Sequence, residues 1–202
     1  MTLWESSQNV CNVIKKHKSS LKNEYRGLLF RTFAGENNEK THSIPIPMKE
    51  VVLKTIEQND NVSLYSICFN SDNESEFEKF LKEFKEHSEY KRDYDIILLA
   101  LEKIIDKGAL ERFFRLEGGK VKALSLDSRS LRLYCLRISD QILIIGNGGV
   151  KKTRTFQETP KLNGYVMDLR NFDKALEEAQ RRGKVTIEKS VITNIESATF
   201  TI

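Results

Sequence analysis

The chain has 202 residues, 39% hydrophobic and 31% charged, with a formal net charge of +4. That balance fits a soluble globular protein with a sizeable core and excludes a disordered chain. No apolar run approaches the ~20 residues of a membrane-spanning helix. The start, MTLWESSQNV, lacks the basic-then-apolar pattern of a secretory leader, so a cytoplasmic protein is expected. The three cysteines, Cys11, Cys68 and Cys135, are odd in number and far apart, which predicts reduced thiols with neither a disulfide framework nor a Cys-pair metal motif.

Residues 1–60 read as an N-terminal extension. Asn9 to Lys22 carries a partial helical stripe, Tyr25 to Phe33 reads as a strand, and Ile44-Pro45-Ile46-Pro47 must be extended because each proline restricts its predecessor. Met48 to Gln58 reads as a short helix on the spacing of Val51, Val52, Leu53 and Ile56.

Residues 61–184 form the main domain. Val62 to Phe69 is apolar on both alternating faces, as a strand buried on two sides would be. Phe77, Phe80, Leu81 and Phe84 then give one amphipathic helix, opened by Glu74, Glu76 and Glu78. Tyr94, Ile97, Leu98, Leu101 and Ile105 give a second, stopped by Gly108. A meander follows: Glu111 to Leu116, Val121 to Leu126, Leu131 to Ile138 and Gln141 to Ile145, with Gly146-Asn147-Gly148-Gly149 as a turn. Phe156 to Leu162 reads as a loop, Gly164 to Met167 as a brief strand and Asn171 to Arg182 as a helix. Residues 185–202 are a β-rich tail. The expected fold is α+β: an antiparallel sheet in the order β-α-α-β-β-β, with a helical hairpin packed on one face.

The charge is unevenly placed. Residues 61–110 carry 7 Lys+Arg against 11 Asp+Glu, whereas residues 111–154 carry 10 against 4. Positive charge at that density favours a polyanionic partner. No His, Cys or acidic residues in the basic half take a metal-ligand spacing, and no histidine lies beyond His87, so neither a metal, a cofactor nor a Ser-His-Asp device is expected. The stretch from Gly146 to Thr153 is not a GxxxxGK[ST] phosphate loop. What remains are cations on strands: Arg112, Arg115, Lys122, Arg132, Arg137, Lys151, Lys152 and Arg154. Alternation puts Arg132 on one face with Tyr134, and Arg137 on the other with Leu131 and Leu133. With helices over one face only, such charges would point into a cleft or solvent. Guanidinium and ammonium groups bind phosphate, and RNA carries its own nucleophile, the 2′-hydroxyl, so a basic set can cleave RNA without a metal.

Across residues 61–182 the order of elements, with LRLYCLRI, ILIIGNGG and KKTRT, resembles the RelE/ParE superfamily of toxins from bacterial toxin–antitoxin systems, nearest the phage-derived HigB-like branch. The resemblance rests on Arg115, on Arg132 with Tyr134, and on Lys151-Lys152-Thr153. It implies metal-independent cleavage of mRNA on the ribosome, and neutralisation by an antitoxin that often carries a helix-turn-helix. It assigns Arg115, Arg132, Tyr134, Lys151 and Lys152 to catalysis, and Lys122, Arg137 and Arg154 to RNA binding. Histidine or a C-terminal tyrosine moves protons in several members of the family. Here Tyr134, Tyr165, Glu111 or a lysine would have to serve. The competing expectations are an inert relative that binds RNA, a ribosome or a protein through its basic sheet, and a gyrase-directed toxin.

Overall fold

The computed structural model describes residues 48–202 apart from 118, 125–129 and 154. The expected helix from Asn9 and strand from Tyr25 therefore lie outside the described residues. Among the described residues no helix is long and apolar enough to cross a membrane.

The chain enters the fold as a strand, β1 (Glu50–Gln58), where a short helix was expected. Val51 and Leu53 are two apart and buried in one cluster, and Ile56, of opposite parity, is buried in the other. The spacing 51, 53, 56 imitates a helical stripe, but it is a strand with apolar residues on both faces, bulged between Thr55 and Glu57. β2 (Ser63–Phe69) pairs antiparallel with β1 and is buried on both faces.

α1 (Glu76–Phe84) begins at a reciprocal cap. The Ser75 hydroxyl accepts from the Glu78 N–H (3.3 Å), and the Glu78 carboxylate accepts from the Ser75 N–H (2.7 Å). Its Phe77, Phe80, Leu81 and Phe84 are buried. α2 (Lys91–Lys107) ends at Gly108, whose φ of 85° is the left-handed region that glycine tolerates. β3 (Arg115–Leu116), β4 (Val121–Leu124), β5 (Leu131–Arg137) and β6 (Ile142–Val150) follow as an antiparallel meander. α3 (Pro160–Arg181) comes next, then the pair β7 (Thr186–Ile187) and β8 (Ile192–Thr193). β9 (Phe200–Thr201) pairs with β1. The seven-stranded sheet runs β3-β4-β5-β6-β2-β1-β9, and its β2–β6 pair is parallel.

Two elements differ from expectation in ways that shape the site. α3 is one 22-residue helix, not a loop, a strand and a shorter helix. Pro160 and Gly164 read as breakers, but proline in a first turn gives up only an N–H that has no partner there. Leu162, Val166, Leu169, Phe172, Leu176 and Ala179 form one unbroken buried stripe. That stripe covers the sheet face opposite α1 and α2, so the sheet carries two separate cores. The expected open face does not exist.

Gly146, Gly148 and Gly149 lie inside β6, not in a turn. A Cβ on Gly148 would fall 2.0 Å from the Arg132 carbonyl oxygen and 2.9 Å from the Phe80 ring. On Gly146 or Gly149 it would press on Leu169 or Leu162 of α3, each at 3.0 Å. Close approach of neighbours requires these glycines, at a bulge opposite Leu133–Cys135. Gly148→Ala is expected to lower unfolding free energy by about 3 kcal/mol, read as a shifted urea midpoint at unchanged slope. A midpoint within about 0.5 kcal/mol of the parent would refute the close approach.

Candidate anion-binding site

Strand alternation and register place the site. Arg115 pairs with Ala123, and Ala123 with Tyr134, giving one row across β3, β4 and β5. Ala123 and Tyr134 belong to the core beneath α3, so the whole row faces that helix. Arg132, two residues before Tyr134, shares the face and sits opposite Gly149. Lys151 lies two residues beyond Gly149, held by its N–H to the Ser130 carbonyl (2.8 Å). The start of β5 is fixed from α2, where the buried Asp93 carboxylate accepts from the N–H groups of Ser130 (2.7 Å) and Leu131 (2.9 Å).

Arg115, Glu117, Arg132, Tyr134 and Lys151 therefore form one electrostatic group. Arg132 is 7% exposed and donates to the Leu131 carbonyl (2.9 Å). Burial, then the Arg115 guanidinium, pulls its pKa below the usual arginine value. The Glu117 carboxyl is held above its ordinary pKa by burial, against the opposing charges of Lys151, Arg132 and Arg115. Burial also raises the Tyr134 phenol far above its ordinary value, with Glu117 reinforcing the shift and Arg132 opposing it. The Tyr134 hydroxyl is fully buried and has no hydrogen-bond partner among the described residues.

α3 and the segment before it close the group from above. The Phe156 ring meets Tyr134 edge-on at 6.3 Å. The Arg170 guanidinium lies 5.7 Å from the Phe156 ring centroid and donates to the Glu117 carbonyl (2.9 Å). Three cations and one carboxyl in a partly desolvated place can hold a phosphate and exchange a proton with what it carries.

Four of the expected site residues thus come together: Arg115, Arg132, Tyr134 and Lys151. Lys152 is exposed beside them, and Arg154 lies outside the described residues. Lys122 and Arg137 sit on the other face and are already engaged. Lys122 bonds Glu111 at 2.8 Å, and Arg137 bonds the Ala109 carbonyl (2.6 Å), Glu111 (3.3 Å) and Asp140. Glu111 belongs to that network, its pKa lowered by the Lys122 hydrogen bond. Tyr165 neighbours Lys161, Glu83 and Glu76 instead. Glu117 and Arg170 were missed. Glu117 reads as a turn residue, although alternation from Arg115 puts both on one face. Arg170 falls just before the expected helix.

A 480 Å³ pocket lies elsewhere, lined by Met48, Lys49, Phe69 and Asp72 among others. The lysines near it are balanced: Lys49 pairs with Asp168 at 2.9 Å, and Lys79 with Asp72 and Glu76. Among the described residues no three His, Cys, Asp or Glu side chains converge as a metal site.

Because the Tyr134 hydroxyl has no partner, Tyr134→Phe is expected to leave stability within about 0.5 kcal/mol of the parent. Tyr134→Ala should lose about 3–5 kcal/mol through its cavity. A costly Tyr134→Phe would contradict the unsatisfied hydroxyl. For Glu117, a raised folded pKa means that ionisation opposes folding at neutral pH, and that this penalty vanishes below the unfolded value of about 4.3. Glu117→Gln is therefore expected to stabilise the protein near neutral pH and change little at about pH 3.5, as read by thermal melts. No family model, curated protein or solved structure matches the chain.

Proposed function

We propose that this protein is the toxin of a toxin–antitoxin pair, RelE-like in fold and acting as a metal-independent endonuclease on mRNA at the ribosome. The observation that carries the reading is the gathering of Arg115, Arg132 and Lys151 around Glu117, with Tyr134 beside Arg132 under α3. The order β2-α1-α2-β3-β4-β5-β6 has one strand more than the β-α-α-β-β-β order of this reading, and its β2–β6 pair is parallel where an antiparallel sheet was expected. Chemically, the guanidinium groups would grip the scissile phosphate and offset the charge that grows as the 2′-oxygen attacks. The cognate antitoxin, expected to be a helix-turn-helix protein, would block this face, and the pair would work in the cytoplasm.

A second reading, an inert relative that binds RNA, a ribosome or a protein, draws on one observation. His87, the histidine among the described residues, packs against Phe84 and Tyr90 on the other side of the sheet and takes no part in the cluster.

Induced expression, with primer-extension mapping of transcripts, separates the two. The toxin reading expects growth arrest and new RNA 5′ ends. Lys151→Ala, at a half-buried site, should remove about 10²-fold or more of the cleavage while leaving the melting temperature unchanged. Arg132→Ala should do the same at some cost in stability. Continued growth with no new ends would leave the binding reading.

A further inference from the structure

Resting on the RNA-cleaving reading, we propose that Glu117 is the residue that takes the proton from the attacking 2′-hydroxyl, and that Lys151 returns one to the leaving 5′-oxygen. The position argues for it first. Glu117 follows β3 at the point where the chain bends, two residues past Arg115. Two hydrogen bonds fix its backbone: its N–H donates to the Val121 carbonyl (3.3 Å), and its carbonyl accepts from Arg170 of α3 (2.9 Å). A β-turn end tied to a helix on the facing layer is a rigid mount for a side chain that must meet its substrate at hydrogen-bond range.

The surroundings argue for it second. The charges that act on the Glu117 carboxyl are Lys151, Arg132 and Arg115, which are the phosphate-gripping set. A phosphate held by those three cations would lie beside this carboxyl. The alternatives are committed elsewhere: Glu111 to Lys122 and Arg137, Asp93 to the start of β5, and Asp173 and Glu177 to Lys120. Burial also makes the carboxylate a stronger base than an exposed glutamate.

The step balances within the RNA and these two side chains. The Glu117 carboxylate takes the 2′-hydroxyl proton. The 2′-oxygen forms a bond to phosphorus as the bond from phosphorus to the 5′-oxygen breaks. The Lys151 ammonium gives its proton to that oxygen. The products are a 2′,3′-cyclic phosphate and a 5′-hydroxyl, and water resets the two side chains.

The test uses the full chain with ribosomes carrying a defined mRNA, under single-turnover conditions across pH. A matching RNA with a 2′-deoxy substitution at the cut site serves as an uncleavable binding probe. The groups facing Glu117 in this profile are Arg115, Arg132, Tyr134, Lys151 and Arg170. Glu117→Gln is expected to slow cleavage about 10²–10⁴-fold and erase the acid limb of the profile. It should bind the deoxy RNA at least as tightly as the parent. Glu117→Asp should keep the limb at a reduced rate. The parent limb should lie above the ordinary glutamate value, and the new ends should carry cyclic phosphate. A Glu117→Gln variant that keeps the parent rate and profile overturns the assignment while leaving the nuclease reading intact. So does one that loses rate only in proportion to lost RNA binding or lost fold. A parent protein that cuts nothing overturns both.

Discussion

The fold depends on a sheet that is covered on both faces. α1 and α2 occupy one side and α3 the other, so a charged side chain on the inner strands cannot simply turn to water. An unpaired buried charge costs several kcal/mol. The chain meets this constraint in two ways. Some charges are paired where they stand: Lys122 and Arg137 with Glu111, and Glu76 with Asn147 (2.8 Å) and Lys79. Arg115, Arg132 and Lys151 gather around Glu117 at the β3 edge and the exit of β6, and there the cations outnumber the carboxyls. Local imbalance separates a binding surface from a structural ion network more sharply than a count of basic residues does.

The same desolvation that stresses this corner gives it chemical character. Glu117 sits among cations, yet burial outweighs them and keeps its proton affinity high. Tyr134 stays a neutral donor. Arg132 is held between a repelling Arg115 and the attraction of Glu117 and Asp93. A bound anion would offset the repulsion between the two guanidinium groups.

Much of this was legible in the sequence, for reasons that differ by element. The stripe Phe77, Phe80, Leu81, Phe84 and the stop at Gly108 are local signals, so α1 and α2 follow directly. Alternation correctly separated Arg132 and Tyr134 from Arg137. β1 was misread because both of its faces carry apolar residues, whose combined spacing resembles a helical stripe. α3 was misread because Pro160 and Gly164 look like breakers, although neither interrupts the buried stripe. The glycines of β6 were read for turn freedom, whereas their purpose is to admit Leu162, Leu169 and the β5 backbone. Such contacts come from residues distant in the chain, and no local pattern announces them. Losing α3 as a second layer also hid Arg170, which reaches the site only because that helix crosses the sheet.

The mounting of the cluster has a dynamic consequence. Arg132 and Lys151 are carried by β5 and by the exit of β6, whose residues 142–149 are all buried and flanked by strands and helices. Amide hydrogens in such a strand exchange only on global unfolding. Arg115 and Glu117 are carried by a two-residue edge strand with both residues exposed, and amides there exchange through small local openings. One wall of the site is thus as permanent as the fold itself. The other rests on a short edge strand held to α3 through the Arg170–Glu117 hydrogen bond, so its amides report the attachment of that wall alone.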